Sequence, residues 1–455
     1  MRIKFLGAVG EVTGSSYVLT SGSGQSILID LGMFQGTLNV ERYNYEPPAY
    51  DFSQLTAVVL THAHLDHSGR LPILLSYGFR GNIWMTPPTR DLTEISLYDT
   101  AKIEKDDYPH HGPPKPILFD HNLAVQTVLK FETIDYRVPK QIGDFMVTFR
   151  DAGHILGAAS LEIVDTKPSS EIKKIVFSGD LGNTPEDLEK PTELIDSADV
   201  VVMESTYGDR LHPKTNPVET IQSEINEVEK SGGALLVPTF SLDRTQELLH
   251  IIMHLKRNGK VSNETVVYLD SPMAEKATRV YVNYPPYFNQ EIQDDLKIGG
   301  IFDFPGLKII EHGRDSVGLH NLPGSKVIIA GSGMMNGGRV RTHAAFYLPI
   351  ESTRLLIVGY QGVGTLGRQL LDGDKEVNID GMTVNVKAIV TDTQGLSSHA
   401  DQGQLMAWLK HIQGVKKVIL THGEDSARLV LKQKITEELG ITDITLPVMN
   451  QEVVL

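Results

Sequence analysis

A dense run of potential metal ligands follows a short apolar segment near residue 60. Residues 62–67 read His-Ala-His-Leu-Asp-His, directly after the strand-like run 56–61. Zn²⁺ favours imidazole and carboxylate ligands, and a loop that leaves a strand can turn alternate side chains inward. His62 and His64 could then bind one ion while Asp66 and His67 reach a second beside it. The chain must therefore fold so that further ligands converge on the end of this strand.

The composition restricts the class of protein. A length of 455 residues suggests two or three domains, and 40% hydrophobic with 22% charged residues is typical of soluble globular proteins. There is no cysteine, so a metal site must use histidine and carboxylate ligands. No segment approaches the length of a membrane span, and the N-terminus does not resemble a signal peptide. We therefore expect a cytoplasmic protein with no membrane partner.

The charge is unevenly distributed along the chain. The formal net charge is −15, but residues 206–372 contain 17 Lys/Arg against 18 Asp/Glu, whereas the remainder contains 25 against 39. The middle of the chain is thus a near-neutral segment within an acidic protein. This balance argues against indiscriminate binding to polyanions. A nucleic-acid substrate would need a local basic groove and the charge of the metals.

Apolar runs and helical patterns alternate in a way that predicts an α/β fold. Predicted strands of the first part are 26–30, 57–61, 145–149 and 175–180, with helices at 71–77 and 90–105. The later part has predicted strands at 233–239, 266–270, 326–331, 384–390 and 415–421, and helices at 220–230, 244–255 and 402–412. This alternation indicates a second, parallel sheet. We predict an inserted domain at 206–374 within a first domain formed by 1–205 and 375–455.

Three more candidate ligands lie in turns of small residues. They are His154 in Gly-His, Asp180 in Ser-Gly-Asp and His399 in Ser-Ser-His. Small neighbours let the backbone approach a ligand closely. A single His or Asp in such a turn is usually a structural hydrogen-bonding residue, but together with the 62–67 cluster these three become candidate metal ligands.

Taken together, these motifs resemble the metallo-β-lactamase superfamily of dinuclear zinc hydrolases. The resemblance includes Asp30 at the end of an early strand. The middle of the chain resembles the β-CASP nucleases, and the matching stretches are 203–208, 238–244, 270–274, 331–339 and 364–366. The whole chain is similar to bacterial and archaeal relatives of the pre-mRNA 3′-end cleavage endonuclease. The resemblance implies an αββα sandwich with an inserted β-CASP α/β domain, and dimers are common in this branch.

The resemblance also implies two Zn²⁺ ions and their ligands. One ion would be held by His62, His64, His154 and Asp180, and the other by Asp66, His67, Asp180 and His399, with Asp180 bridging. Asp30 corresponds to a position that orients ligands without binding metal. Because His399 follows the insertion, the C-terminal segment must pack against the first domain.

The implied reaction is endonucleolytic hydrolysis of single-stranded RNA by a metal-bound hydroxide, with Asp66 and Asp30 in the catalytic set. Eukaryotic relatives use a His just after Gly-Thr-Leu, paired with the acidic residue that matches Glu204, as the candidate proton donor. This chain has Gln369 there, and glutamine cannot donate a catalytic proton. His422, His343 and metal-bound water are the alternatives.

The β-CASP motifs also provide candidate RNA contacts. The turn 331–339 resembles a strand-to-helix turn whose free N–H groups, including those of Ser332 and Gly333, could bind phosphate. Arg244 and Arg339 are candidate phosphate partners, with His343 close by in sequence.

The sequence leaves several other functions open. A 5′-exonuclease or a DNA-acting nuclease would use the same centre. Zinc hydrolases of small thioesters or lactones generally lack the inserted domain, and a non-catalytic RNA-binding scaffold typically loses metal ligands, whereas all seven are present here.

Overall fold

The chain forms two compact units, one of which is inserted into the other. The computed structural model describes residues 1–107, 116–183, 188–362, 364–393 and 395–455. Unit 1 comprises Met1–Leu211 and Ser398–Leu455, and unit 2 comprises His212–Ser397. In the described residues, no helix is both long enough and apolar enough to cross a membrane.

The strands fall into three segments of the chain. Before the insertion they are β1 (Arg2–Phe5), β2 (Tyr17–Thr20), β3 (Ser26–Ile29), β4 (Leu55–Val59), β5 (Asn82–Met85), β6 (Phe131–Thr133), β7 (Lys140–Ile142), β8 (Phe145–Asp151), β9 (Ala159–Asp165), β10 (Lys174–Phe177) and β11 (Val200–Met203). Unit 2 contains β12 (Ala234–Pro238), β13 (Val266–Asp270), β14 (Leu307–Ile309), β15 (Lys326–Ala330), β16 (Arg354–Ile357), β17 (Glu376–Ile379), β18 (Met382–Asn385) and β19 (Ile389–Asp392). After it come β20 (Lys417–Leu420), β21 (Ile444–Thr445) and β22 (Glu452–Val454).

The α-helices follow the same division. Unit 1 has α1 (Leu38–Glu41), α2 (Leu65–Ser68), α3 (Ile73–Ser76), α4 (Pro87–Asp107) and α5 (His121–Val128) before the insertion. Unit 2 has α6 (Pro217–Ser231), α7 (Arg244–Arg257), α8 (Pro272–Val282), α9 (Gln290–Ile298), α10 (Gly313–Gly318), α11 (Arg339–Tyr347) and α12 (Leu366–Leu371). The C-terminal part of unit 1 adds α13 (Gln402–His411) and α14 (Asp425–Leu439).

Unit 1 is a sandwich of two seven-stranded sheets with helices on the outer faces. The strand orders are β22-β1-β2-β3-β4-β5-β6 and β21-β20-β11-β10-β9-β8-β7. In β11, Val200 and Val202 belong to the core shared by both sheets, whereas Val201 and Met203 pack with residues of α13 and α14. Successive side chains of a strand point to opposite faces, so a strand covered on both faces is an unbroken apolar run. The predicted α/β sandwich is confirmed.

Unit 2 is a second α/β unit built on a parallel sheet. Its six strands have the order β14-β13-β15-β12-β16-β19, and each neighbouring pair is parallel. A separate hairpin of β17 and β18 contributes Val377, Ile379 and Val384 to the core of this unit.

The insertion ends later than the sequence predicts. We predicted its end at 374, but β19 pairs in parallel with β16, so the segment up to Ser397 belongs to unit 2. The predicted strand 384–390 is instead two strands, β18 and β19, which lie in different sheets. The reason is that Val384 and Val386 are buried in the core of unit 2, while Ile389 begins a new, exposed edge strand.

Candidate metal centre

The 62–67 segment leaves β4 as a loop and enters α2, where it is held against two other loops. The backbone N–H of Ser15 donates to the carbonyl of Asp66 (2.9 Å), and the N–H of Leu31 donates to the carbonyl of His67 (2.8 Å). A Cβ on Gly32 would lie 1.6 Å from the carbonyl oxygen of Asp66, so only glycine permits this approach. Main-chain contacts therefore fix the turn that carries the ligands.

The first cluster consists of the residues predicted for the first ion. The ligand atoms of His62, His64, His154 and Asp180 lie within 4.8 Å of one another. The Nδ1 atom of His64 is 3.2 Å from Nε2 of His62 and 3.2 Å from Nε2 of His154. The Oδ2 atom of Asp180 is 3.5 Å from Nε2 of His62 and 3.6 Å from Nε2 of His154. Four donor atoms thus surround one small volume.

The second cluster differs from the prediction in one member. It contains Asp66, His67, Asp180 and His422, so His422 takes the place that we predicted for His399. The Nε2 atom of His422 is 3.3 Å from Oδ2 of Asp66 and 3.8 Å from Oδ2 of Asp180. The Nε2 atom of His67 is 3.3 Å from Oδ1 of Asp180. Asp180 is shared by both clusters, as the bridging role requires.

His399 instead pairs with Glu204. Its Nδ1 atom lies 3.3 Å from each carboxylate oxygen of Glu204, compared with 3.9 Å from Oδ2 of Asp180. Glu204 is buried and accepts a hydrogen bond from the backbone N–H of Leu181 (2.6 Å). The His399 side chain is 22% exposed, so this ring is partly accessible to solvent. A histidine paired with Glu204 is therefore present, but it is His399 and not a residue at position 369. Gln369 is an exposed residue of α12.

The order of the strands explains why His422, and not His399, lies in the second cluster. β10, β11 and β20 are adjacent and parallel, and Asp180, Glu204 and His422 follow their carboxyl ends. Ligand sites of α/β sheets lie outside the carboxyl ends of the strands. His399 comes just before α13 rather than after a strand. In the sequence, the strand-like run 415–421 indicates that His422 follows a strand. Only the pairing of β20 with β11 shows that this strand ends beside Asp180 and Glu204.

Other hydrogen bonds orient the rings. The Nδ1 atom of His67 lies 2.7 Å from Oδ2 of Asp30, so its Nε2 faces Asp180. Asp30 also accepts hydrogen bonds from the backbone and hydroxyl of Thr61, at 2.7 and 2.8 Å. The Nδ1 atom of His154 lies 2.9 Å from the carbonyl oxygen of Ser398. Such contacts select the tautomer that presents the opposite nitrogen.

The pKa shifts of three histidines and of Asp66, though not that of His67, favour the protonation states that bind metal. Burial holds the pKa of His62 and His154 well below the usual value and lowers the pKa of His64 to about 4. These rings are therefore neutral at pH 7, and a neutral imidazole is the form that binds metal. Burial would raise the pKa of Asp66, but the hydrogen bond from His422 and the charges of His67 and His422 lower it to about 2. This carboxylate is ionised.

The donor atoms fit Zn²⁺ in kind and in spacing. They are imidazole nitrogens and carboxylate oxygens, and two tetrahedral ligands with bonds of 2.0–2.2 Å lie about 3.3 Å apart. Among the described residues, neither carboxylate oxygen of buried Asp180 has a hydrogen-bond donor in good geometry. Burying a carboxylate without such donors costs folding free energy unless a cation binds to it.

The candidate RNA-binding residues lie in unit 2, where most of their charged side chains form ion pairs or hydrogen bonds with other side chains of that unit. Arg339 donates to Oδ1 of Asp270 (2.6 Å), and the Nε2 atom of His343 lies 2.7 Å from the other oxygen of that carboxylate. His343 and Arg244 are buried, and Arg244 forms an ion pair with Glu247. These three side chains thus already have partners within unit 2, and their role as RNA contacts stays a prediction.

The turn that carries Ser332 and Gly333 joins β15 to α11, as predicted. A backbone hydrogen bond stabilises this turn: the N–H of Met335 donates to the carbonyl of Ser332 (3.1 Å). A Cβ on Gly333 would lie 2.5 Å from the ring of Phe240. Phe240 is 36% exposed.

Three family matches cover most of the chain. Residues 9–239 match the metallo-β-lactamase superfamily, residues 245–370 match the Beta-Casp domain, and residues 383–447 match a Zn-dependent metallo-hydrolase RNA specificity domain.

Curated relatives agree with these matches. The chain is 37% identical over 435 residues to ribonuclease TTHA0252 of Thermus thermophilus, which covers 95% of each protein. It is 30% identical to the transcription termination factor FttA of Methanosarcina mazei, over 97% of this chain and 70% of that protein. An RNase J-like protein of Methanocaldococcus jannaschii is also 30% identical, over 96% of both.

Proposed function

The chain belongs to the metallo-β-lactamase superfamily and to its β-CASP branch, and on this premise we propose that it is a zinc-dependent ribonuclease. The proposal rests mainly on two ligand clusters that share one buried carboxylate, Asp180. The similarity to a ribonuclease over nearly the whole chain supports RNA as the substrate. We propose internal cleavage of single-stranded RNA, with 5′-exonucleolytic cleavage and DNA as the alternatives.

We propose that two ions bind, each in one cluster. His62, His64 and His154 would hold the first ion, and Asp66, His67 and His422 the second, with Asp180 common to both; this list replaces the earlier assignment of His399. When bound, Zn²⁺ lowers the pKa of a water molecule and neutralises charge that builds up on phosphoryl oxygens. Asp30 keeps the Nε2 atom of His67 directed at the centre.

His399 is the proposed proton donor for the leaving 3′-oxygen. Burial lowers the pKa of His399, but the charge and the hydrogen bond of Glu204 outweigh burial and raise the pKa to about 9. The imidazolium directs its Nδ1–H to Glu204. The proton on Nε2 is then the one passed to the leaving oxygen, and Glu204 stabilises the charged ring until the transfer occurs. Hydrolysis leaves a 3′-hydroxyl and a 5′-phosphate.

A cleavage assay tests this function. Single-stranded RNA, labelled at the 5′ end or internally, is incubated with the wild-type protein, with a chelator, and with the His64→Ala and Asp66→Ala variants. We expect cleavage by the wild type, loss of cleavage on chelation and in both variants, and recovery when Zn²⁺ is restored. His411→Ala is the matched control, because that ring is 43% exposed at the end of α13.

The products separate the competing activities. Internal fragments at early times support endonucleolytic cleavage, whereas stepwise loss of 5′ nucleotides supports an exonuclease. DNA in place of RNA, and a thioester or lactone in place of both, test the other substrates. RNA cleavage that persists after the metal has been removed, or hydrolysis of small esters without any RNA cleavage, contradicts the proposal.

A further inference from the structure

A second histidine and carboxylate cluster lies in unit 2 and shares no residue with the candidate metal centre. His250 and His254 are four residues apart in α7, so their side chains lie on the same face of the helix. Asp295 of α9 reaches the same point. A pair of histidines at this spacing on one helix face is a recurrent way to bind Zn²⁺.

The three facing atoms are as close together as the ligands of one ion. The Nε2 atoms of His250 and His254 lie 3.0 Å apart, and Oδ2 of Asp295 is 3.3 Å from the first and 2.8 Å from the second. Ligands bound at 2.0–2.2 Å with bond angles between 90° and the tetrahedral value are about 2.8–3.6 Å apart. All three separations are at or near this range, so the side chains need little rearrangement to bind a metal.

The contact between the two rings restricts their protonation when no metal is bound. Two Nε2 atoms at 3.0 Å can share only one proton, so at least one of them must act as an acceptor or face the other as a second donor. A cation would use both lone pairs and the carboxylate charge together. The other oxygen of Asp295, Oδ1, is 3.6 Å from a guanidinium nitrogen of Arg257, which leaves Oδ2 to the two histidines.

Burial indicates where the remaining coordination positions lie. The His250 and Asp295 side chains are 2% and 14% exposed, whereas His254 is 34% exposed. The cluster is therefore held by the fold on one side and open to solvent on the other. Solvent gives a path of entry for the ion and for water molecules that complete its coordination.

We propose that His250, His254 and Asp295 form a metal site that is separate from the candidate metal centre of unit 1. Two imidazoles and one carboxylate select a borderline transition metal such as Zn²⁺, Co²⁺ or Ni²⁺ over Mg²⁺ or Ca²⁺, which prefer oxygen. The site would attach α9 to α7. Among the described side chains of α9, only that of Ile292 is buried, so apolar packing holds this helix weakly. A metal bound to both helices would therefore add to its attachment.

Metal titration of the full chain tests the site. Metal-free wild type and the His254→Gln, Asp295→Asn and His312→Gln variants are titrated with Co²⁺ by absorption spectroscopy, and bound Zn²⁺ is counted by mass spectrometry. His312 is the matched control because it is an exposed histidine of the same unit. We expect His254→Gln and Asp295→Asn to bind one equivalent less than the wild type, or to bind that equivalent at least about tenfold more weakly.

Hydrogen exchange of the wild type gives an independent measurement that needs no variant. Adding Zn²⁺ should slow exchange in Gln290–Ile298, and the slowing should be absent in His254→Gln. Equal metal content together with equal affinity in all four proteins, or exchange in α9 that is unchanged by Zn²⁺, would overturn the proposal and leave an ordinary histidine–aspartate ion pair. Neither readout depends on RNA cleavage, so the result is independent of the proposed function.

Discussion

At the scale of single residues, Asp180 joins the two clusters of the candidate metal centre. Its carboxylate lies 3.3–3.8 Å from ring nitrogens of His62, His67, His154 and His422. Burial raises the pKa of Asp180, but the charges of the neighbouring histidines outweigh burial and hold that pKa well below its usual value. A buried anion of this kind needs positive charge around it. Bound cations would supply that charge.

The pair of His399 and Glu204 predicts a particular pH dependence. The proposed reaction needs protonated His399, so kcat should fall as pH rises through a pKa of about 9. Glu204→Gln removes the charge that raises this pKa, and the fall should then begin at lower pH. His399→Gln should lower kcat by about 10²–10⁴-fold and abolish this limb of the profile.

Single-turnover cleavage rates between pH 6 and pH 10 measure these profiles. Bound zinc, counted in the same samples, shows that the variants retain their metal. A basic limb that is unchanged in both variants would exclude His399 as the proton donor.

At the scale of elements, the site depends on loops that follow strands. The central strands were predictable because their burial on both faces makes them continuous apolar runs, as in β3, β13 and β15. The 62–67 ligands were predictable because they are adjacent in sequence. The distinction between His399 and His422 was not predictable, since it depends on which strands are neighbours, and no local pattern encodes that order.

The turn that carries the first ligands makes Gly32 a sensitive position. Gly32→Ala would place a methyl group 1.6 Å from the carbonyl oxygen of Asp66, which must move. We expect a loss of about 1–3 kcal/mol of unfolding free energy, typical of overpacking. Weaker zinc binding should accompany it, because Asp66 and His67 move with the turn.

Chemical denaturation and zinc titration of the Gly32→Ala variant measure the two effects. Gly313→Ala is the control, because a Cβ there would meet no atom within 4 Å. Wild-type stability and zinc affinity in Gly32→Ala would contradict the proposed role of this close approach.

At the scale of the whole molecule, unit 1 contains every residue of the candidate metal centre, although its chain is interrupted by unit 2. The ends of the interruption are close together, since the backbone N–H of Gln402 donates to the carbonyl of Arg210 (3.0 Å). The insertion itself was predictable from the change in strand–helix pattern together with candidate metal ligands on both sides of it. Its end was not, because the edge strand β19 is short and partly exposed.

Replacing His212–Ser397 with a short Gly-Ser linker should therefore leave zinc binding by unit 1 intact. RNA cleavage should be lost, because the β-CASP unit distinguishes this branch from hydrolases of small molecules. Metal analysis and the RNA assay on the shortened protein measure both properties. A folded, shortened protein that binds no zinc would show that unit 1 does not form the centre alone.

The most direct test of the account compares two histidines in one experiment. His422→Gln and His399→Gln are each analysed for bound zinc and for single-turnover RNA cleavage. We predict that His422→Gln loses both one equivalent of zinc and cleavage, because His422 completes the second cluster. His399→Gln should keep wild-type zinc and cleave about 10²–10⁴-fold more slowly. The opposite pattern, with zinc lost in His399→Gln and retained in His422→Gln, would contradict the assignment of the centre.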